Sequence, residues 1–129
     1  MIFYVAVGSA IGGVARYLLA TLIQQRAGAT FPLGTLVVNV TGSFLLGLFW
    51  RYAIGGEAIS PEMRALLTTG FCGGYTTFST FTYETAVLLE DGEFLRAGAN
   101  VVLSILLSLA GMWLGFLAAR EIIVARSHL

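Results

Sequence analysis

Hydrophobic residues run along this chain in four long blocks, each parted from the next by a short polar stretch. Ile2 to Ile23 is apolar apart from Ser9, Arg16 and Thr21, and the polar stretch Gln24 to Pro32 follows. The second block runs from Leu33 to Ile54. Gly55, Gly56, Glu57, Ser60 and Pro61 form the next connection. The third block, Glu62 to Leu89, is the least regular and ends in the acidic turn Glu90, Asp91, Gly92, Glu93. The fourth, Leu95 to Ala119, is the cleanest, and Arg120 to Leu129 reads as a polar tail. At ~1.5 Å per residue, about 22 residues reach about 33 Å, enough to cross a hydrocarbon core of about 30 Å. The pattern predicts an all-α integral membrane protein of four transmembrane helices, near residues 2–23, 33–54, 62–89 and 95–119. They make a single domain over residues 1–129. Trp50 and Tyr52 suit a membrane interface.

Composition strengthens this reading. The chain is 57% hydrophobic and 11% charged, where a soluble domain carries about 25% charge. The basic residues are all arginine and balance seven acidic ones, so no net charge points to nucleic acid. Cys72 is the only cysteine, which excludes an internal disulfide and argues against a thiolate cluster. Residues 1–7 lack a positive leader, so the first block reads as a retained span rather than a signal peptide.

Four spans would put both termini on one side. Arg51, Arg64, Arg120 and Arg126 then share that side, with Arg26 and Arg96 opposite, a weak positive-inside bias. Two readings stay open: one orientation set by a small bias, or insertion both ways round, which would permit an antiparallel dimer. Gly8 and Gly12, Gly70 and Gly74, and Gly111 and Gly115 are small-xxx-small pairs that let membrane helices approach closely. Four helices are too few to enclose a wide polar pore, so oligomerisation is the economical expectation.

The polar exceptions carry the candidate chemistry. Gly70-Phe71-Cys72-Gly73-Gly74-Tyr75-Thr76-Thr77-Phe78-Ser79-Thr80-Phe81 lies near the middle of the third block. Paired glycines followed by β-branched and hydroxyl residues disfavour a continuous helix. A helix broken at membrane depth leaves backbone groups that lipid cannot satisfy, so the break must face protein, water or an ion. Carbonyls such as those of Gly73 and Thr76 suit a hard cation such as Na⁺. The simpler alternative is a kink repaired by threonine hydroxyls.

Phe78 and Phe81 share a face if helical, and Ser79 and Thr80 set hydroxyls beside them. Such a pair usually packs a core, yet ring edges carry partial positive charge that can solvate a small anion. Asn39, inside the second block, reads as interhelical glue or as a donor to an anion. Ser104 and Ser108 lie one turn apart on the fourth span, and Glu84 lies toward the end of the third. Arg16 is the only basic residue well inside a span. It should face a partner or a wet cavity, or snorkel to an interface. No nucleotide loop, nucleophile elbow, metal-spaced histidine pair or acid–base dyad marks an enzyme.

Gly12-Gly13-Val14-Ala15-Arg16-Tyr17, Gly34-Thr35-Leu36-Val37-Val38-Asn39 with Gly42, and Gly73-Gly74-Tyr75-Thr76-Thr77-Phe78-Ser79-Thr80-Phe81 resemble the three signatures of the CrcB/Fluc family of bacterial fluoride channels. The resemblance covers almost the whole chain in length and span order. It implies an antiparallel dual-topology homodimer in the inner membrane, passing fluoride out of the cell along two pathways. It implies that Asn39, Phe78 and Phe81 line the pathways, and that Ser104, Ser108 and Thr80 form a polar track with Glu84 near one end. It implies a central structural Na⁺ on the carbonyls of Gly73 and Thr76. The family's fourth span sometimes adds a tyrosine to this track, and the stretch Asn100-Val101-Val102-Leu103-Ser104 has none. The runner-up is a proton-coupled small multidrug transporter, but that mechanism needs a carboxylate usually in the first span, which holds Arg16 and no acid. A non-transporting subunit packed through its glycines would leave Asn39 and the threonine-rich break unexplained.

Overall fold

The computed structural model describes residues 1–55 and 59–129, all of the regular structure being helical. Gly56 and Glu57 of the expected second connection lie outside the described residues. Helix α1 spans Ile2–Ala27 and α2 spans Leu33–Gly55. Next come α3 (Pro61–Ala65), a π-helical stretch over Leu66–Cys72, and α4 (Gly73–Tyr75). After two extended residues, α5 runs over Phe78–Glu90 and α6 over Phe94–Ser127. Three of these helices, α1, α2 and α6, are long and apolar enough to cross a membrane.

Local sequence explains the boundaries. Helix α1 stops at Gly28, which takes the left-handed conformation (φ 58°) and donates its N–H to the Gln24 carbonyl. The Gln24 side chain then organises the loop, donating to the carbonyls of Ala29 and Phe31 and accepting from the Gly34 N–H. Ser60 caps α3 by accepting from the Met63 N–H, with Pro61 at the first helical position. Gly92, at φ 74°, turns the chain between α5 and α6. Arg120 to Ser127, expected as a polar tail, continues α6, because no glycine or proline interrupts it.

Glycine seams hold the helices together. A Cβ on Gly8 or Gly12 would run into the backbone of Leu66, Phe71 or Tyr75, and one on Gly74 into the backbone of Ser9. The pairs Gly8/Gly12 and Gly70/Gly74 therefore face each other across one seam. A second seam joins α2 to α6: Gly111 and Gly115 lie on the backbone of Val40, Phe44 and Leu48, and Gly47 on Met112. Gly34 closes α2 onto Ala20 of α1. Bare backbone lets these helices touch where apolar side chains would gain nothing over lipid. The outward faces of α1 and α6 are correspondingly greasy, with Ile11, Val14, Leu18, Leu106, Leu114 and Leu117 all exposed.

The glycine pair Gly73-Gly74 does not itself leave the helix. Gly73 is helical (φ −64°, ψ −37°), and the chain turns extended at Thr76 (φ −87°, ψ 156°) and Thr77 (φ −149°, ψ 117°). The β-branched threonines favour the extended conformation, and Gly74 is small because it sits on Ser9.

Candidate functional site

The interruption at Thr76 and Thr77 leaves backbone groups that the neighbouring helices satisfy one by one. The Thr76 N–H and its hydroxyl both donate to the Cys72 carbonyl, at 3.0 and 2.8 Å. Arg16 of α1 donates its Nε–H to the Gly74 carbonyl at 3.1 Å. Arg16 thus caps the end of α4. On the other side, Thr77 caps α5, its Oγ1 accepting from the Thr80 N–H at 3.2 Å. Asn39 of α2 grips the same residue by a two-point bond. Its Nδ2 donates to the Thr77 carbonyl at 3.0 Å and its Oδ1 accepts from the Thr77 N–H at 2.8 Å. The carbonyls of Gly73 and Thr76 receive no hydrogen bond from the described residues.

Two open cavities flank this junction, and Thr77 lines both. The first, about 470 Å³, is walled by Asn39, Ser43, Thr76, Thr77, Phe78, Phe81, Ser104, Ser108 and apolar residues of α2 and α6. It brings together Asn39, both phenylalanines and both serines. The two rings lie 5.6 Å apart, tilted by 46°, and Phe78 is 80% exposed. No ionisable side chain among the described residues lines it. The second cavity, about 350 Å³, holds Arg16, Tyr17, Gln24, Thr35, Thr77, Thr80 and Glu84. There the Thr35 hydroxyl donates to Glu84 Oε1 at 2.7 Å, while Glu84 Oε2 is buried without a partner among the described residues.

The expected single polar track is therefore divided. Thr80 and Glu84 line the second cavity, apart from Phe78, Phe81, Ser104 and Ser108, which line the first. Ser79 is exposed, lines neither cavity, and meets the Thr77 hydroxyl at 3.4 Å. Gly73 and Thr76 share the wall of a further open cavity of about 580 Å³ with Thr68, Thr69 and Cys72. Leu46, Trp50, Met112 and Phe116 complete its wall, so the lining is chiefly apolar. No group of three or more His, Cys, Asp or Glu occurs among the described residues.

Sequence reasoning missed several participants. Thr35 partners Glu84. Thr77 is both cap and anchor. The Tyr75 hydroxyl meets Thr41 Oγ1 at 2.8 Å, pinning the last turn before the interruption to α2. Asn100 is 2% exposed and bonds to Thr85 and Ser104. Its signal was the four-residue step from Asn100 through Ser104 to Ser108, which sets all three on one stripe of α6.

An all-helical chain with three long apolar helices, and with its polar side chains gathered at an interruption between helices, defines a multi-pass membrane protein built around a polar junction. The model of the CrcB-like protein, Camphor Resistance (CrcB) family matches residues 3–116, and the chain belongs to that family. Its relatives include proteins named fluoride-specific ion channel FluC. The one from Geobacter sulfurreducens is 54% identical over 94% of this chain and 98% of its own length. The one from Geobacter metallireducens is 51% identical over 92% and 95%. A third, from Opitutus terrae, is 48% identical over 90% and 89%. These relatives are named as channels, not as enzymes.

Proposed function

We propose that this protein is a passive fluoride channel: two copies associate antiparallel in the inner membrane, and fluoride leaves the cell along two pathways. The observation that carries the reading is the convergence of Asn39, Phe78, Phe81, Ser104 and Ser108 on one cavity without a formal charge. Membership in a family whose members are named fluoride-specific channels supports it. In this reading residues 61–90 cross the bilayer together as one interrupted span, giving four crossings.

Fluoride is small and strongly hydrated, so a pathway must replace its water with donors. Asn39 spends one N–H on Thr77 and keeps its second. Ser104 and Ser108 offer hydroxyls. Phe78 and Phe81 offer ring edges, which attract an anion weakly. Neutral donors of this kind admit the ion and still release it, where a fixed cation in the narrow part would trap it. Thr80, Glu84 and Arg16 belong to the neighbouring cavity at one approach to the junction. The carbonyls of Gly73 and Thr76, free of donors among the described residues, would hold a structural Na⁺ together with their counterparts on the second copy. The ion would supply positive charge where α4 ends.

The test is efflux from liposomes. Purified protein reconstituted in fluoride-loaded vesicles should release fluoride to an external electrode when a K⁺ ionophore clamps the voltage. An intact dimer that releases none overturns the reading. Proton-coupled uptake of a lipophilic cation, abolished by Glu84→Gln, would favour the multidrug-transporter alternative instead.

A further inference from the structure

Asn100 is the most buried polar side chain of α6, at 2% exposure, and it does not line the cavity that Ser104 and Ser108 wall. Both ends of its amide are used. The Nδ2 donates to Thr85 Oγ1 of α5 at 3.0 Å, and the Oδ1 accepts from the Ser104 hydroxyl at 3.4 Å. Thr85 in turn donates its own proton to the Phe81 carbonyl at 2.8 Å. The bonds run in one direction, from Ser104 through Asn100 and Thr85 to the backbone of the residue whose ring lines the same cavity.

This direction decides what Ser104 can do. A serine hydroxyl has one proton and two lone pairs. While the proton points at Asn100, Ser104 turns lone pairs to the cavity and repels an anion. To bind one, the hydroxyl must rotate and give up Asn100. At 3.4 Å that bond is long and weak, so the rotation is cheap. We infer that Asn100 is a positioning residue of the pathway: it holds the Ser104 proton back when the cavity is empty and yields it when an anion arrives. Through Thr85, the same side chain keeps Ser104 in register with Phe81. The inference rests on the proposed fluoride pathway. It assigns Asn100 a role behind the cavity wall rather than on it.

The test is a double-mutant cycle of Asn100→Leu and Ser104→Ala, read as the half-saturating fluoride concentration for efflux from liposomes. Leucine nearly matches asparagine in size and leaves the Ser104 proton free for the anion. Half-saturation should fall about three-fold, the scale of one weak neutral hydrogen bond, and the maximal rate should fall with it as release slows. In the Ser104→Ala background, Asn100→Leu should leave half-saturation unmoved. An equal shift with and without the Ser104 hydroxyl, or no shift at all, overturns the inference. If Asn100→Leu does not assemble, Asn100→Ala, which also removes the acceptor of the Ser104 proton and adds no bulk, goes through the same cycle under the same criteria. Wild-type protein that passes no fluoride would instead overturn the channel reading.

Discussion

The grip of Asn39 on Thr77 is the contact whose removal the structure prices most directly. Asn39→Leu keeps the volume and deletes both hydrogen bonds, at 2.8 and 3.0 Å. Interhelical hydrogen bonds in a membrane average about 0.6 kcal/mol and reach about 1.7. An orphaned buried N–H adds a desolvation cost of about 1–3 kcal/mol. Thr77 is only partly buried, so the lower half of that range applies, and the sum is about 2 kcal/mol. For a chain of 129 residues this corresponds to a melting shift of roughly 6–12 °C. Trp50 and Trp113 give the fluorescence signal for the melt. Asn39→Asp separates stability from transport. It keeps the acceptor for the Thr77 N–H and loses only the donor, so its melting shift should be about half as large. Its carboxylate, however, would repel an anion about 4 Å away by about 4 kcal/mol at an effective dielectric of 20. Fluoride efflux at alkaline pH should therefore drop by about three orders of magnitude. An Asn39→Leu protein that melts with the wild type would refute the two-point anchor, and an Asn39→Asp protein that conducts normally would refute the place of Asn39 in the pathway.

Gly12 and Gly13 are neighbours with opposite surroundings: a Cβ on Gly12 would strike the Phe71 and Tyr75 backbone, and one on Gly13 meets nothing within 4 Å. Gly12→Ala should destabilise by about 1–3 kcal/mol and Gly13→Ala should be neutral or slightly stabilising, a contrast that thermal melts in detergent will read. Arg16→Met removes the donor that caps α4 and should cost about 1–2 kcal/mol. Arg16→Lys should not restore it, because a lysine has no N–H at the Nε position; recovery of wild-type stability by lysine would show that charge alone matters. Phe78→Leu and Phe81→Leu should cut fluoride efflux while leaving the assembled species unchanged on gel filtration. Equal efflux in both variants would reduce the pair to packing.

Helix starts were easy to read, and the junction was not. Ile2 and Leu33 begin helices as the hydropathy pattern required, because a block long enough to span a bilayer leaves little freedom in where it starts. The interruption was read in the run Gly70 to Phe81, and the backbone turns only at Thr76 and Thr77, after the paired glycines, because glycine signals two different things. It weakens a helix, and it also lets two helices touch, and at Gly74 the second use prevails. The polar residues were joined into one track on the family resemblance. Helical periodicity separates Phe78 from Thr80, but Phe81 and Glu84 are three apart and share a face by it, so their assignment to different cavities is set by the neighbouring helices. Asn100 was noted only within a stretch that lacks the family's tyrosine. Which groups bond across helices, Arg16 to Gly74 or Asn39 to Thr77, depends on tertiary placement that no local pattern encodes.

The extended pair at Thr76 and Thr77 also determines where the electrical poles of the backbone fall. An uninterrupted helix would carry its poles at the two membrane faces. Interruption sets a carbonyl end and an amide end on either side of Thr76 and Thr77. The amide end of a helix carries roughly half a positive charge. Arg16 offsets the carbonyl end at Gly74, so the amide end of α5, which begins at Phe78 beside the cavity, stands less opposed. The sign of the ion that this region prefers is therefore written into peptide dipoles. Substitution of side chains can change how tightly an anion is held there, and the preference for negative charge should persist as long as the two threonines stay extended.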